Sequence, residues 1–182
     1  MMILTGPEIE RQVKEGRIYI SPFDPRQINP NSYNFRLGKW LKWYDEEVLD
    51  VRKQNSTRCI EMESAGYLLR SDRIYLGHTV EVMGSDFFVP IIRARSSVAR
   101  LGLFVHVTAD LIDIGSRNQW TLQLHAVQPI RIYPDMLIGQ VTFWCVKGDI
   151  VLYDGKYQGS IGPQESKIYL DFQKDLGSEK FS

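Results

Sequence analysis

The sequence predicts a mainly β fold, such as a β-sandwich, jelly roll or barrel, with one helix at its start. Short segments in which apolar and polar residues alternate recur along the chain, and this period of two is typical of strands with one buried face. Turn-forming residues separate the segments at 21–22, 29–31, 64–66 and 84–86. Many short strands with little helix indicate sheets that pack or close around one core.

The opening helix is predicted to run from Thr5 to about Glu15. Thr5 is a candidate capping residue, Pro7 falls in the first turn, and Glu8 lies three residues after the cap, as in a capping box. Gly16 then provides a C-terminal stop, because glycine readily adopts the left-handed conformation that ends a helix.

Strands follow, with the clearest alternation in segments 17–20, 32–37, 79–83 and 120–127. The segment 120–127 is predicted to have two different faces: apolar Trp120, Leu122, Leu124 and Ala126 on one, and Thr121, Gln123 and His125 on the other. A further strand is predicted over 136–146, where Gly139 favours a bulge or bend.

Length and charge limit the classes of function. The chain has 182 residues, which suggests one domain with a possible tail. Lys plus Arg and Asp plus Glu each total 22, so the net charge is zero, which argues against a nucleic-acid polymer as partner. A small anionic ligand stays possible, because a few arginines can converge locally. The N-terminus lacks a secretory or membrane segment, so we expect a cytoplasmic protein whose Cys59 and Cys145 are inert thiols.

Several common catalytic sites lack their motifs. The sequence has neither a G-x-x-x-x-G-K-[ST] loop nor G-x-G-x-x-G, and it has no G-x-S-x-G elbow. His78, His106 and His125 lie in separate segments, and the zinc deaminase signature is missing, so we expect no zinc site. His106, between two valines, is expected to be a satisfied core or interface residue.

Three segments carry the candidate chemistry. In 93–102, hydroxyls lie between arginines, which is compatible with a capped surface turn or with a short helix, capped by Ser96 or Ser97, that faces an anion. In 108–113, two carboxylates follow an apolar strand, a pattern most often found in turns. From Asp154 onward, a polar, glycine-containing stretch is either a frayed terminus or a lid that contacts a ligand.

Together these segments resemble the dCTP deaminase family of the trimeric dUTPase-like superfamily. The central match is R-S-S-V-A-R-L-G-L at 95–103, followed by V-H-V-T-A at 105–109 and I-D at 112–113. The segments 134–143 and 156–159 are similar to the family's P-G-M-x-I-G-x-x-x-F motif and to its C-terminal clamp. Segment 31–38 is similar to its S-x-D-x-R-L-G motif, with Asn34 where aspartate is usual.

The resemblance implies a distorted jelly-roll β-barrel over 1–153 and a nucleotide-clamping tail of the same domain over 154–182. It also implies a homotrimer whose active sites are shared between neighbouring subunits. The expected ligands are nucleotides of the dCTP, dUTP and dTTP type, with Mg²⁺ carried by the triphosphate and no zinc. The implied reaction is hydrolysis of dCTP to dUTP and ammonia, and some members of the family continue to dUMP and pyrophosphate.

The resemblance also implies roles for individual residues. Arg95 and Ser96 match phosphate-binding positions, with Ser96 also near the attacking water, and Arg100 matches an arginine of the base site. Ala109 matches a residue whose backbone carbonyl holds the amino group or water. Asp113 matches an aspartate that packs under the deoxyribose and orients water in dUTPases.

The tail and the catalytic strand are each matched with one departure. Tyr153, Lys156, Tyr157 and Gln158 match the clamp on the triphosphate, although Ser160 stands where the family usually has glutamine. The family's catalytic glutamate, which moves protons between water and the pyrimidine, corresponds here to Gln123.

An amide at position 123 cannot titrate, so deamination is expected to fall by at least about 10²–10⁴-fold, while binding could survive. An introduced Glu→Gln substitution and natural divergence both account for Gln123. Two alternative functions therefore stay open: a dUTP pyrophosphatase that uses Asp113, and a deoxynucleotide-binding protein without catalysis.

Overall fold

The computed structural model describes residues 2–178, and antiparallel sheets around one apolar core dominate this part of the chain. The helices are α1 (Gly6–Lys14), α2 (Ser96–Ala99) and α3 (Tyr169–Ser178), with a 3-10 turn at Pro25–Gln27. The strands are β1 (Ile18–Ser21), β2 (Ile28–Asn29), β3 (Ser32–Arg36), β4 (Trp40–Tyr44), β5 (Thr57–Glu61), β6 (Tyr67–Leu69), β7 (Tyr75–Ser85), β8 (Phe88–Ala94), β9 (Leu103–Phe104), β10 (Arg117–Ala126), β11 (Ile130–Ile132) and β12 (Leu137–Cys145).

Two larger sheets and one small sheet make up the architecture of the described residues. The first sheet has the order β5-β4-β7-β10-β9, with β1 also paired to β7, and the second has the order β2-β3-β12-β8. Strands β11 and β6 form the small sheet. This arrangement confirms the predicted mainly β fold. None of the helices in residues 2–178 combines the length and apolar character that crossing a membrane requires.

The opening helix is confirmed, but its predicted capping box is wrong. The Thr5 side chain makes no capping hydrogen bond. The Glu8 carboxylate instead accepts hydrogen bonds from Arg11 at 2.7 Å and Gln12 at 2.6 Å, and these contacts within the helix compete with the cap. Gly16 adopts a φ of +72° and closes the helix as predicted.

Strand β10 has the two faces that its sequence predicts. Leu122 and Leu124 are fully buried in the core, while Thr121 and Gln123 point to the other, partly exposed face. The register with β7 shifts between Gln119 and Thr121. At this bulge the Trp120 amide donates to the Thr79 hydroxyl at 3.0 Å, so the interrupted ladder keeps its hydrogen bond.

The predicted bend in β12 is also confirmed, because the pairing with β3 shifts between Leu137 and Gly139. A Cβ at Gly139 would lie 2.1 Å from a ring carbon of Phe35, so the close packing requires glycine. The alternation predicted for 32–37 does not produce a half-exposed strand. Residues Ser32 to Phe35 are all buried, since β3 lies inside its sheet and is covered on both faces.

A buried carboxylate connects the two larger sheets. Glu81 on β7 is fully buried, and its two oxygens accept from the side chain and the backbone amide of Arg36 on β3, at 2.8 and 3.0 Å. Gln27 donates to the same carboxylate at 3.3 Å. The charge is therefore compensated, as buried ionised groups require.

Removal of this carboxylate is predicted to destabilise the fold. Glu81→Ala leaves the Arg36 guanidinium without its partner, so the free energy of unfolding should fall by about 3 kcal/mol, measured by urea denaturation. Glu61→Ala removes an exposed ion pair with Lys39 and should change stability by less than about 0.5 kcal/mol. Equal effects of the two substitutions would contradict a structural role for Glu81.

Candidate active site

A cavity of about 870 Å³ opens between β10, the segment 106–116 and the C-terminal tail. Gln123 and Thr121 line it from β10, Ala109 and Asp113 line it from the preceding segment, and Tyr153 lines it from the tail. The cavity therefore brings together the predicted strand 120–127, the candidate segment 108–113 and the C-terminal part of the chain.

The side-chain amide of Gln123 has a defined orientation. Its Oε1 accepts a hydrogen bond from the Thr108 backbone amide at 3.2 Å, and the Thr108 hydroxyl lies 3.5 Å from the same oxygen. A backbone N–H can only donate, so the oxygen must be the atom that faces Thr108. The Nε2 atom makes no hydrogen bond to any other residue within 2–178, and it has two donor hydrogens free on the cavity side.

A second polar contact involves His106 and Ala109. The His106 Nε2 lies 2.8 Å from the Ala109 carbonyl oxygen. A carbonyl can only accept, so Nε2 carries the proton and Nδ1, which is buried without a partner, does not. Burial lowers the pKa of His106 and favours this neutral form. Ala109 adopts a φ of +58°, a left-handed conformation that is uncommon for alanine and that the histidine contact helps to hold.

This geometry corrects the expectation for His106. The residue lies outside any strand, it lines the cavity, and one of its ring nitrogens lacks a partner, so it is not a satisfied core residue. The valine alternation on both sides suggested a strand, but the left-handed turn at Ala109 interrupts that conformation. The two carboxylates of the segment 108–113 have different surroundings. Asp110 forms an ion pair with Arg93, whereas Asp113 is exposed to the cavity.

The tail is docked along β10 and is not frayed over its described residues. The Gln119 amide donates to the Ser160 carbonyl at 3.0 Å, and the Gln119 side chain accepts from the Gly162 amide at 2.8 Å. Further along, the Thr121 hydroxyl accepts from the Gln164 amide at 3.0 Å. The tail thus occupies the edge of β10 that β7 leaves free, and it forms one wall of the cavity.

An ion pair holds the end of this docked segment. Lys42 on β4 donates to the Glu165 carboxylate, and this contact holds the pKa of Glu165 below its ordinary value. The next residue, Ser166, donates its backbone amide to the Tyr44 hydroxyl at 2.8 Å. Fraying is therefore contradicted up to this point of the chain, and the ligand contact of the lid interpretation stays a prediction.

The predicted clamp residues contact both the tail itself and the segment 114–117. Gln158 accepts from the Arg117 amide at 3.0 Å and donates to the Gly115 carbonyl at 2.8 Å. The hydroxyl of Tyr153 accepts from the amide of Tyr157 at 3.2 Å. Lys156 donates to Asp171 of α3 at 2.6 Å, and this ion pair raises the pKa of Lys156. These contacts hold the tail against the segment 114–117 and α3.

The arginine-rich segment is outside the cavity lining within the described residues. Ser96 begins the four-residue helix α2, and Arg95, at the N-cap position, makes no side-chain capping bond. The prediction that Ser96 or Ser97 caps this helix is therefore wrong, because both serines lie inside the helix and Arg95 occupies the N-cap position. Arg100 and Ser96 are exposed, and Arg95 is partly exposed. One chain thus does not bring these three residues to Gln123.

The cavity lining carries more carboxylates than cationic side chains. Among residues 2–178, the lining contains the guanidinium of Arg73 and these carboxylates: Glu46, Glu47, Asp72, Asp113 and Glu165. An anionic ligand would need further cations from outside this lining. The described part of the chain has no group of three or more His, Cys, Asp or Glu side chains arranged to hold a metal ion.

The sequence indicated some of the additional lining residues and missed others. Thr121 was placed on the face of Gln123 by strand alternation, but no pattern distinguished it as a tail contact. Thr108 and His106 belong to the matched V-H-V-T-A segment, yet their hydrogen bonds depend on how the chain turns at Ala109.

The fold and the site define a mainly β protein in which the C-terminal segment forms one wall of an open cavity. A profile of the dCTP deaminase-like family matches residues 3–146, and the chain belongs to this family. It is 44% identical over 173 residues to a protein of Hathewaya histolytica named dCTP deaminase, dUMP-forming, covering 94% of this chain and all of that protein. A protein of the same name from Clostridium acetobutylicum is 45% identical over 172 residues, which cover 94% of this chain and 99% of that protein.

The fold also resembles a solved structure, the crystal structure of 2'-deoxycytidine 5'-triphosphate deaminase from Agrobacterium tumefaciens. The TM-score is 0.61 at 18% identity, over 78% of this chain. The aligned region spans about half, 47%, of that longer chain. At this identity the likeness supports the fold, and it agrees with the distorted jelly-roll barrel that the resemblance implied.

Stability is predicted to fall in acid because of the buried histidines. Burial lowers the pKa of His78 and His106 in the folded state, so below about pH 6.5 the unfolded chain binds more protons. The melting temperature should therefore fall between pH 7.5 and 5.5. His106→Gln keeps a donor for Ala109 but cannot titrate, so its fall should be smaller. An equal or larger fall in this variant would contradict the assignment.

The docked position of the tail is predicted to depend on Gln158. Gln158→Ala removes the hydrogen bonds to Gly115 and Arg117, so hydrogen exchange of the Arg117 amide should accelerate by about tenfold. Gln54→Ala, in an exposed loop, is the matched control and should leave this exchange unchanged. Exchange as slow in Gln158→Ala as in the control would show that the tail is held by other contacts.

Proposed function

We propose that the protein is a hydrolase of pyrimidine deoxynucleoside triphosphates, with the cavity beside Gln123 as its base site. The observation that carries the proposal is that Gln123, Ala109 and Asp113, the positions the family uses around the pyrimidine and the sugar, line one cavity. The relatives named dUMP-forming deaminases would carry out two hydrolyses. Water replaces the C4 amino group and releases ammonia, and a second water attacks phosphorus and releases pyrophosphate.

Deamination is the step that Gln123 weakens. A carboxylate at this position can take a proton from water and deliver it to the pyrimidine ring and the leaving ammonia. The Gln123 amide has no useful titration, and its oxygen is held by the Thr108 amide. We infer that deamination by this chain is slower than that of a glutamate enzyme by at least about 10²–10⁴-fold.

Cleavage of the triphosphate is the second candidate activity, and it does not require a titrating group at position 123. Asp113 is the candidate base for this step, because its carboxylate is exposed to the cavity and is free of the ion pair that holds Asp110. A carboxylate so placed can orient or deprotonate a water molecule for attack on phosphorus. This activity would convert dUTP into dUMP and pyrophosphate.

A homotrimer with shared sites would supply the missing positive charge. Arg95 and Arg100 lie outside the cavity of their own chain, so we propose that they reach the cavity of a neighbour and bind its triphosphate. Exposed apolar side chains surround this arginine segment and would be covered in such an assembly: Leu101, Phe104, Val107, Leu111 and Val127.

The tail and the metal complete the proposal. Tyr153, Tyr157 and Gln158 would close over the triphosphate, and Lys156 would exchange Asp171 for a phosphate oxygen. Mg²⁺ would enter on the triphosphate, because it is a hard cation that binds phosphate oxygens and retains water. Bound there, it would reduce the charge repulsion that a nucleophile meets at phosphorus.

A panel of dCTP and dUTP with Mg²⁺, assayed for ammonia and for pyrophosphate, tests these activities. Wild type should release pyrophosphate from dUTP, and Asp113→Asn should reduce this release by about 10²-fold or more. Gln123→Glu should increase ammonia release from dCTP by a similar factor. Gln128→Glu, an equal charge change outside the cavity, is the control and should match wild type. No gain of ammonia in Gln123→Glu would contradict the proton-transfer role.

A further inference from the structure

We propose that the base site selects pyrimidines with a 4-keto group, such as uracil, over those with a 4-amino group, such as cytosine. This inference rests on the proposed function, because it assumes that the cavity holds a pyrimidine deoxynucleotide. It concerns which base binds, and so it is independent of which bond the enzyme breaks.

The first argument is the direction of the Gln123 amide. Its oxygen faces the Thr108 N–H, so the group available to a ligand is Nε2 with its two hydrogens. A 4-keto oxygen can accept from this donor. A 4-amino group is itself a donor and cannot accept from Nε2–H. One of the two groups is then left without a hydrogen bond when the ligand displaces water from the site.

The second argument comes from the Ala109 carbonyl, the other acceptor that could receive an amino group at this site. The His106 Nε2–H already donates to it at 2.8 Å. The burial that lowers the His106 pKa keeps the ring neutral, in the tautomer that this contact requires. Each acceptor therefore already receives one hydrogen bond from the protein, whereas both hydrogens of the Gln123 Nε2 are unpaired among the described residues, and this balance favours a keto group.

A glutamate at position 123 would reverse this polarity. One carboxylate oxygen could still accept from Thr108, and the second would remain as an acceptor for a 4-amino group. The single amide nitrogen of Gln123 is thus the specificity-determining atom. Sites that present a donor or acceptor to a specific polar group discriminate strongly, because the wrong partner leaves buried polar atoms unpaired.

The test is calorimetric titration of wild type with the non-hydrolysable α,β-imido analogues of dUTP and dCTP in the presence of Mg²⁺. We expect the dissociation constant of the uracil analogue to be lower by about tenfold or more. Gln123→Glu, titrated quickly in the cold with chromatography confirming that the cytosine analogue keeps its amino group, should abolish or reverse this ratio, while Gln128→Glu should keep it. The ratio in wild type is informative by itself, even where Gln123→Glu fails to fold.

The outcomes separate the two proposals. Equal or tighter binding of the cytosine analogue by wild type would overturn the selectivity while leaving the nucleotide site in place. An unchanged ratio in folded Gln123→Glu would overturn the role of the Gln123 amide. Failure of wild type to bind either analogue would overturn the proposed function and, with it, the selectivity.

Discussion

One face of strand β10 packs in the apolar core and the other lines a polar cavity, and the rest of the site depends on this constraint. Its alternation buries Leu122 and Leu124 and leaves Thr121 and Gln123 on the cavity side. The bulge at Trp120 is tolerated because the Thr79 hydroxyl replaces the lost ladder contact. A strand slipped by one residue would bury Gln123 without a partner and expose two leucines, so register and function are specified together.

The same strand positions the tail and thereby sets the character of the cavity. On the edge of β10 opposite β7, where β9 pairs only with His125 and Ala126, the tail docks through Gln119 and Thr121. The cavity lining carries several carboxylates and the cation of Arg73 among the described residues. A triphosphate at this place would need cations from outside this lining, and we propose that a neighbouring chain supplies part of them.

The sequence was sufficient to predict features that rest on a periodic pattern or on a motif. It was insufficient to predict hydrogen bonds that depend on the conformation of a single turn. The period of two predicted the faces of β10, and Gly139 predicted the bulge in β12. The family resemblance marked Gln123, but it did not show that the Thr108 amide holds its oxygen. That contact and the one between His106 and Ala109 lie at a turn where Ala109 has a left-handed φ, which no sequence pattern indicates. The tail contacts are equally unpredictable, because backbone groups of a polar segment make most of them.

Subunit mixing tests the central claim, a site built from two chains, most directly. Arg95→Ala and Asp113→Asn, each expected to be nearly inactive alone, are unfolded and refolded together, and the mixed oligomers are isolated with two different affinity tags. If Arg95 serves a neighbour's cavity, the isolated mixed trimers regain about a third of wild-type pyrophosphate release from dUTP, since one of the three sites in each trimer combines both native residues. If the mixed oligomers form and recover no activity, Arg95 and Asp113 act within one chain, and the shared site is contradicted.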